Sequence, residues 1–226
     1  MNRQPSDPGA AVEAVCPSCS AVLRKRPQRK SRCKACGNFI FVKTLLDTRE
    51  RVLVTEEQAR SIEAAWTVHY QRRAAEQAVQ RYGLSLEEFR AQRAAQPDRT
   101  DRDLIWSMFN QSVQDLMRAG DLAGLKSRYY EMALFCAEED RPFAHLLEKS
   151  HEMELRSYLQ SGVVQNVEIL SAGEGNACSP CLQLHGRCFS VTEALESKPL
   201  PCRACTTVVV GTKAGFCRCC YVAVVD

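Results

Sequence analysis

Between Thr55 and about Gln160 the apolar residues recur at three- and four-residue spacing, the period of helices that bury one stripe. Thr55-Glu-Glu-Gln58 reads as a capping box, and Ile62, Trp66, His69 and Arg73 follow it at helical spacing. Gly83 ends that helix, and Ser85-Leu-Glu-Glu88 opens a short one carrying Leu86 and Phe89. Beyond Pro97 a third helix carries Ile105, Phe109, Ser112, Val113 and Leu116 and stops at Gly120. Leu122, Leu125, Tyr129, Met132 and Cys136 mark a fourth, and Phe143, Leu146, Leu147 and Tyr158 a fifth after Arg141-Pro142. Each stripe is too narrow to be stable alone, so the five are expected to pack as a helical bundle over 55–160.

After Gly162 the period shortens to two, which predicts strands at 163–170, 206–210 and 221–225. Ser171 to Ala177 is a turn-rich connection. Near the other end, Phe39-Ile-Phe-Val42 reads as a strand. The apolar runs are a handful of residues long, far short of the ~20 that cross a bilayer. The polar first ten residues do not read as a secretory signal, so a cytoplasmic protein without membrane contact is expected.

Cysteine changes the picture. The chain of 226 residues has 13, with four in 16–36, eight in 178–220 and Cys136 alone between them. Paired clusters at short spacing in an intracellular chain point to metal ligation rather than disulfides. Cys16-Pro-Ser-Cys19 and Cys33-Lys-Ala-Cys36-Gly37 face each other across thirteen residues, and two such turns close a tetrahedral Zn²⁺ site. Gly37 suits the tight turn after the second pair; Ser20 stands at the equivalent place after the first. This segment, about residues 12–46, resembles a zinc ribbon. A module so short cannot bury a core and is expected to unfold without its metal.

Charge is uneven too. Net charge is +3 overall, but residues 1–50 carry +6 and the rest −3. Arg24, Lys25, Arg26, Arg29, Lys30, Arg32 and Lys34 fall between or beside the ribbon cysteines, with no acid between Glu13 and Asp47. Seven cations on one loop would displace counterions from nucleic acid, without sequence preference. No aromatic residue interleaves the run, so base stacking is not indicated by the linear sequence.

In the C-terminal cluster, Cys178-Ser-Pro-Cys181 and Cys202-Arg-Ala-Cys205 stand at the longer two-knuckle spacing, followed by Cys217-Arg-Cys219-Cys220. Cys178 and Cys181 belong to any ligand set. They are joined either by Cys202 and Cys205 or by Cys205 with Cys217 or Cys219. Cys188, beside Phe189, is expected to be a buried thiol, and His185 is a minor alternative ligand. The run from Val167 to Phe189, with Pro199-Leu-Pro201 and Cys217-Arg-Cys219, is similar to the cysteine-bearing tail of phage head-morphogenesis (minor head) proteins. That resemblance implies a small zinc-stabilised α+β tail.

The expected architecture is mainly α with small β: a disordered N-terminus (1–11), a zinc ribbon (12–46), a helical bundle (55–160) and a cysteine-rich α+β zinc module (161–226). The expected function is a non-catalytic adaptor with two structural Zn²⁺ ions, contacting nucleic acid through the ribbon and protein partners elsewhere. A head-assembly or other assembly factor acting by protein contact alone is the alternative. Cys136-Ala-Glu138 with Pro201-Cys202-Arg-Ala-Cys205 imitates a zinc-deaminase signature. Against that reading, Cys136 continues a helical apolar stripe and a complete Cys-x-x-Cys intervenes. Phosphate loops, nucleophile elbows and His-Glu-x-x-His are absent from the sequence.

Overall fold

The computed structural model describes residues 13–173, 175–208 and 215–224. The expected disordered segment 1–11 and residues 209 and 210 of the expected strand at 206–210 lie outside them, and residues 206–208 are not in a strand. Among the described residues are seven helices and two three-stranded antiparallel sheets, so the fold is mainly α with small β. The chain divides into two compact units, 1–77 and 78–226.

The first unit is built on β1 (Ser31–Arg32), β2 (Phe39–Thr44) and β3 (Arg51–Val54), in the order β1-β2-β3. Its sheet continues past residue 46, because β3 pairs with β2 from Phe41↔Val54 to Thr44↔Arg51. Alternation along β2 turns Ile40 into a small core with Cys16 and Cys33, and Leu23 and Leu53 pack against it. Thr55 caps the following helix as its sequence predicts: the Gln58 amide donates to Thr55 Oγ1, and the Thr55 amide to Gln58 Oε1.

That helix, α1 (Glu56–Arg81), departs from the bundle expected over 55–160. Of its stripe, Ile62, Trp66 and His69 are half-buried and Arg73 is exposed. The reason is local. Trp66 donates its indole N–H to Thr44 O at 2.7 Å, and Lys43 pairs with Glu63, so this face rests on the β2–β3 hairpin. Tyr70 stacks on Trp66 at 5.3 Å, and the Arg49 guanidinium lies 4.7 Å from the Trp66 ring. Only the last turn of α1, with Val79, enters the second unit's chain segment.

The second unit holds α2 (Leu86–Ala95), α3 (Asp101–Ala119), α4 (Leu122–Glu138) and α5 (Ala144–Ser161). Ser85, Thr100 and Asp121 cap the first three through side-chain oxygens that accept amides three residues on, and Gly120 closes α3 in the left-handed region. Tyr82, Phe109 and Phe135 meet edge to face or tilted, with ring centroids 5.5–5.8 Å apart, at the centre of this helical core. Cys136 is buried there among helix residues. The chain then forms β4 (Asn166–Leu170), a four-residue helix α6 (Ser179–Leu182), β5 (Cys188–Ser190), α7 (Val191–Ser197) and β6 (Cys220–Val224), with β4 central in the sheet. Val167 and Ile169 of β4 face a core shared with Leu155, Phe189, Val191, Leu200 and Tyr221. No described helix is long and apolar enough to cross a membrane.

Candidate metal centres and a basic face

In the first unit, Cys16, Cys19, Cys33 and Cys36 bring their sulfurs within 4.8 Å of one another. The Cys16–Cys36 and Cys19–Cys33 separations are both 3.9 Å. Tetrahedral ligation with ~2.3 Å bonds needs edges of about 3.8 Å, so the four thiols fit one ion. The turns that place them are paired. Ser20 N donates to Cys16 O and Gly37 N to Cys33 O, each at 2.9 Å. Both turns need a left-handed residue: Gly37 has φ 76° and Ser20 φ 59°. Serine in that region costs roughly 1–2 kcal/mol more than glycine, which a closed metal site can offset. One thiol of each pair, Cys16 and Cys33, is buried and the other is exposed. The Cys36 and Ala35 amides point at Cys33 and hold its thiol down at about 7, which prepares it to ligate as thiolate.

The second cluster gathers two overlapping groups, Cys178/Cys181/Cys205 and Cys181/Cys217/Cys219. Cys178 and Cys205 sulfurs are 3.8 Å apart and those of Cys181 and Cys217 3.9 Å. Cys178 stands at the start of α6, and the helical turn brings Cys181 beside it. Burial disfavours the Cys178 thiolate, but the Thr206 and Cys181 amides outweigh it and bring the thiol to about 6. Cys217 is likewise lowered, chiefly by the Cys219 thiol. The Cys202 sulfur is in neither group; that residue turns its backbone N–H onto Cys217 Sγ at 3.3 Å. Spacing alone could not separate a cysteine that offers its sulfur from one that offers its amide.

Three further placements correct or complete the sequence picture. Cys188 is exposed rather than buried, because β5 alternates and it is Phe189 that turns into the core. His185 turns Nδ1 toward the Ser171 amide at 3.2 Å instead of toward the thiols. Cys136 joins no group of potential ligands among the described residues, and burial pushes its thiol up. Glu138 accepts hydrogen bonds from Tyr82 Oη at 2.7 Å and Arg81 at 2.6 Å.

All seven cations predicted to contact nucleic acid are exposed. Arg24, Lys25, Arg26, Arg29, Arg32 and Lys34 line a groove of about 760 Å³ over Val22, Leu23 and Ile40. The loop is tethered: Arg26 donates to Arg51 O, and Arg51 donates in return to Gln28 O at 2.6 Å. None of the seven makes an ion pair with a described residue. The sheet also supplies what the linear sequence lacks. Pairing of Arg32 with Phe39 sets an aromatic ring beside the cations, with Lys30 Nζ 4.3 Å and the Arg32 guanidinium 4.8 Å from its centroid.

No protein-family model, curated protein or solved structure matches the chain. The site therefore rests on its own geometry: cysteine groups at both ends that could hold metal ions, and a basic face beside the first.

Proposed function

We propose that the protein is a zinc-dependent adaptor that grips the phosphate backbone of nucleic acid through the basic loop of its N-terminal module. The observation that carries this reading is the set of exposed cations around the ribbon groove, none of them with an ion-pair partner among the described residues. Unpaired cations on a surface with no acid between Glu13 and Asp47 form a field that selects a polyanion. Zinc suits both clusters, since all-thiolate tetrahedral sites are closed structural sites with no open position for a substrate. For the second ion the set is Cys178, Cys181, Cys205 and Cys217. Cys178 and Cys217 accept the backbone N–H groups of Thr206 and Cys202. The zinc fixes the loop, and the remainder of the chain offers its surface to protein partners.

The test is a salt titration. Neutralising about four to six phosphates should lower affinity by two to three decades between ~50 and ~200 mM salt. Replacing Arg24, Arg29 and Lys34 with Ala should flatten the slope by about three contacts and leave metal content unchanged, since none is a ligand. Binding that ignores the triple change would refute the reading and leave assembly by protein contact as its successor.

A further inference from the structure

We infer that the face of β1–β2 bearing Phe39 binds single-stranded nucleic acid by stacking an unpaired base on the Phe39 ring. This rests on the reading above and narrows it from polyanions in general to one form of nucleic acid.

Strand pairing is what builds the site. Residues 39 and 41 share a face of β2, opposite the one that sends Ile40 into the cysteine core. Phe39 lies directly across from Arg32 and is 40% exposed. Phe41 meets it edge-on at 6.4 Å. Lys30 sits over both rings, at 4.3 and 4.7 Å, and Arg32 over Phe39 at 4.8 Å. An exposed ring is thus flanked by two cations that also belong to the basic loop.

Duplex DNA or RNA keeps its base faces against one another and offers a protein edges and phosphates. A ring on the protein adds affinity only where a base is unstacked. The cations therefore recruit either form, and Phe39 discriminates between them. On binding, Lys30 and Arg32 exchange ring contacts for phosphate oxygens, or Arg32 remains as a planar layer against the base. Every nucleobase has a π face, so the expected recognition is indifferent to sequence.

The experiment uses the full-length, metal-loaded protein, with anisotropy of a labelled oligo(dT) of about 20 nucleotides and a duplex of equal length at roughly 100 mM salt. The single strand should bind at least tenfold more tightly. Phe39→Ala should weaken single-strand binding roughly 5- to 150-fold, the contribution of one stacked base, with duplex binding and the salt slope unchanged. Phe39→Leu, which keeps apolar bulk but no π face, should behave like Phe39→Ala. Phe39→Trp should retain affinity, with quenching beyond that of the wild-type tryptophans. Equal loss for both forms, no loss in Phe39→Ala, or full binding by Phe39→Leu would overturn the stacking. Competition by poly-glutamate as effective as by oligo(dT) would overturn it in favour of an acidic partner. Failure of both nucleic acids to bind would remove the wider reading as well. Equal binding of both, still dependent on Arg24, Arg29 and Lys34, would remove only the stacking.

Discussion

Replacing Cys33 by Ser tests how far the N-terminal module depends on metal. In the cluster around the ribbon thiols, Ile40 is the large apolar side chain that is fully buried, with Leu23 and Leu53 partly covered beside it. Complete burial of one such residue stabilises by about 1.5–3 kcal/mol, and two half-covered leucines add about as much again. A few kcal/mol from these side chains falls well short of the conformational entropy of ordering the segment. A zinc ion held by four thiolates would contribute ~10–16 kcal/mol, more than the apolar side chains of the module supply. Cys33→Ser should therefore release one zinc per chain. Amide protection should be lost at Cys33, whose N–H donates to Asn38 O, and at the β1–β2 pairs. Trp66, whose indole is held by Thr44 O, supplies a second signal in a Trp106→Phe background. The far-UV helical signal should largely persist, because α2–α5 have their own aromatic core. Retained protection over 31–44 in metal-free, reduced protein would refute the reasoning.

Two other perturbations address the second unit. Cys205→Ser should cost the second metal, whereas Cys202→Ser should keep it, since Cys202 serves Cys217 through its main chain; metal stoichiometry of the two variants decides, and loss in Cys202→Ser would contradict the placement. Buried Glu154 pairs with Lys126, and although burial acts to raise its carboxyl, His151 and Lys126 together bring it below the ordinary value. At 3.8 Å His151 Nδ1 is beyond hydrogen-bond range, so it acts as a nearby charge when protonated. A lowered folded-state value contributes stability that is present above the unfolded carboxylate pKa of about 4.3 and lost as pH falls through the folded value. Glu154→Gln should accordingly cost about 1–3 kcal/mol near neutral pH and much less near pH ~3 in urea unfolding; an equal cost at both would refute the linkage.

The helices were legible because their ends are written in single residues. Thr55 and Ser85 each satisfy amides that a helix start leaves open, and Gly120 adopts the left-handed turn that closes one. The first thiol cluster was legible for a similar reason, since its knuckles are local turns. What escaped depends on partners distant in sequence. The stripe of α1 has helical spacing whether it faces a bundle or a hairpin, and only the Trp66–Thr44 bond shows which. Cys188 was misplaced because a neighbour of a core residue on a strand points outward. The aromatic face of the basic loop could not be seen along the chain, because Phe39 reaches Arg32 across the sheet. The order Val167-Glu-Ile in β4, by contrast, announced its buried face directly through alternation.

The pairing of β3 with β2 bears on how the module can be excised. A fragment ending at residue 46 would look complete by its cysteines, yet it would strip the partner from Phe41 to Thr44. The freed ladder groups on β2 would form an open edge that pairs readily with another copy. It would also lose the Trp66 clasp on Thr44, exposing the side of the hairpin that α1 now covers. The unit to excise is therefore ribbon, hairpin and the opening turns of α1 together, with a cut placed beyond Tyr70 rather than before β3.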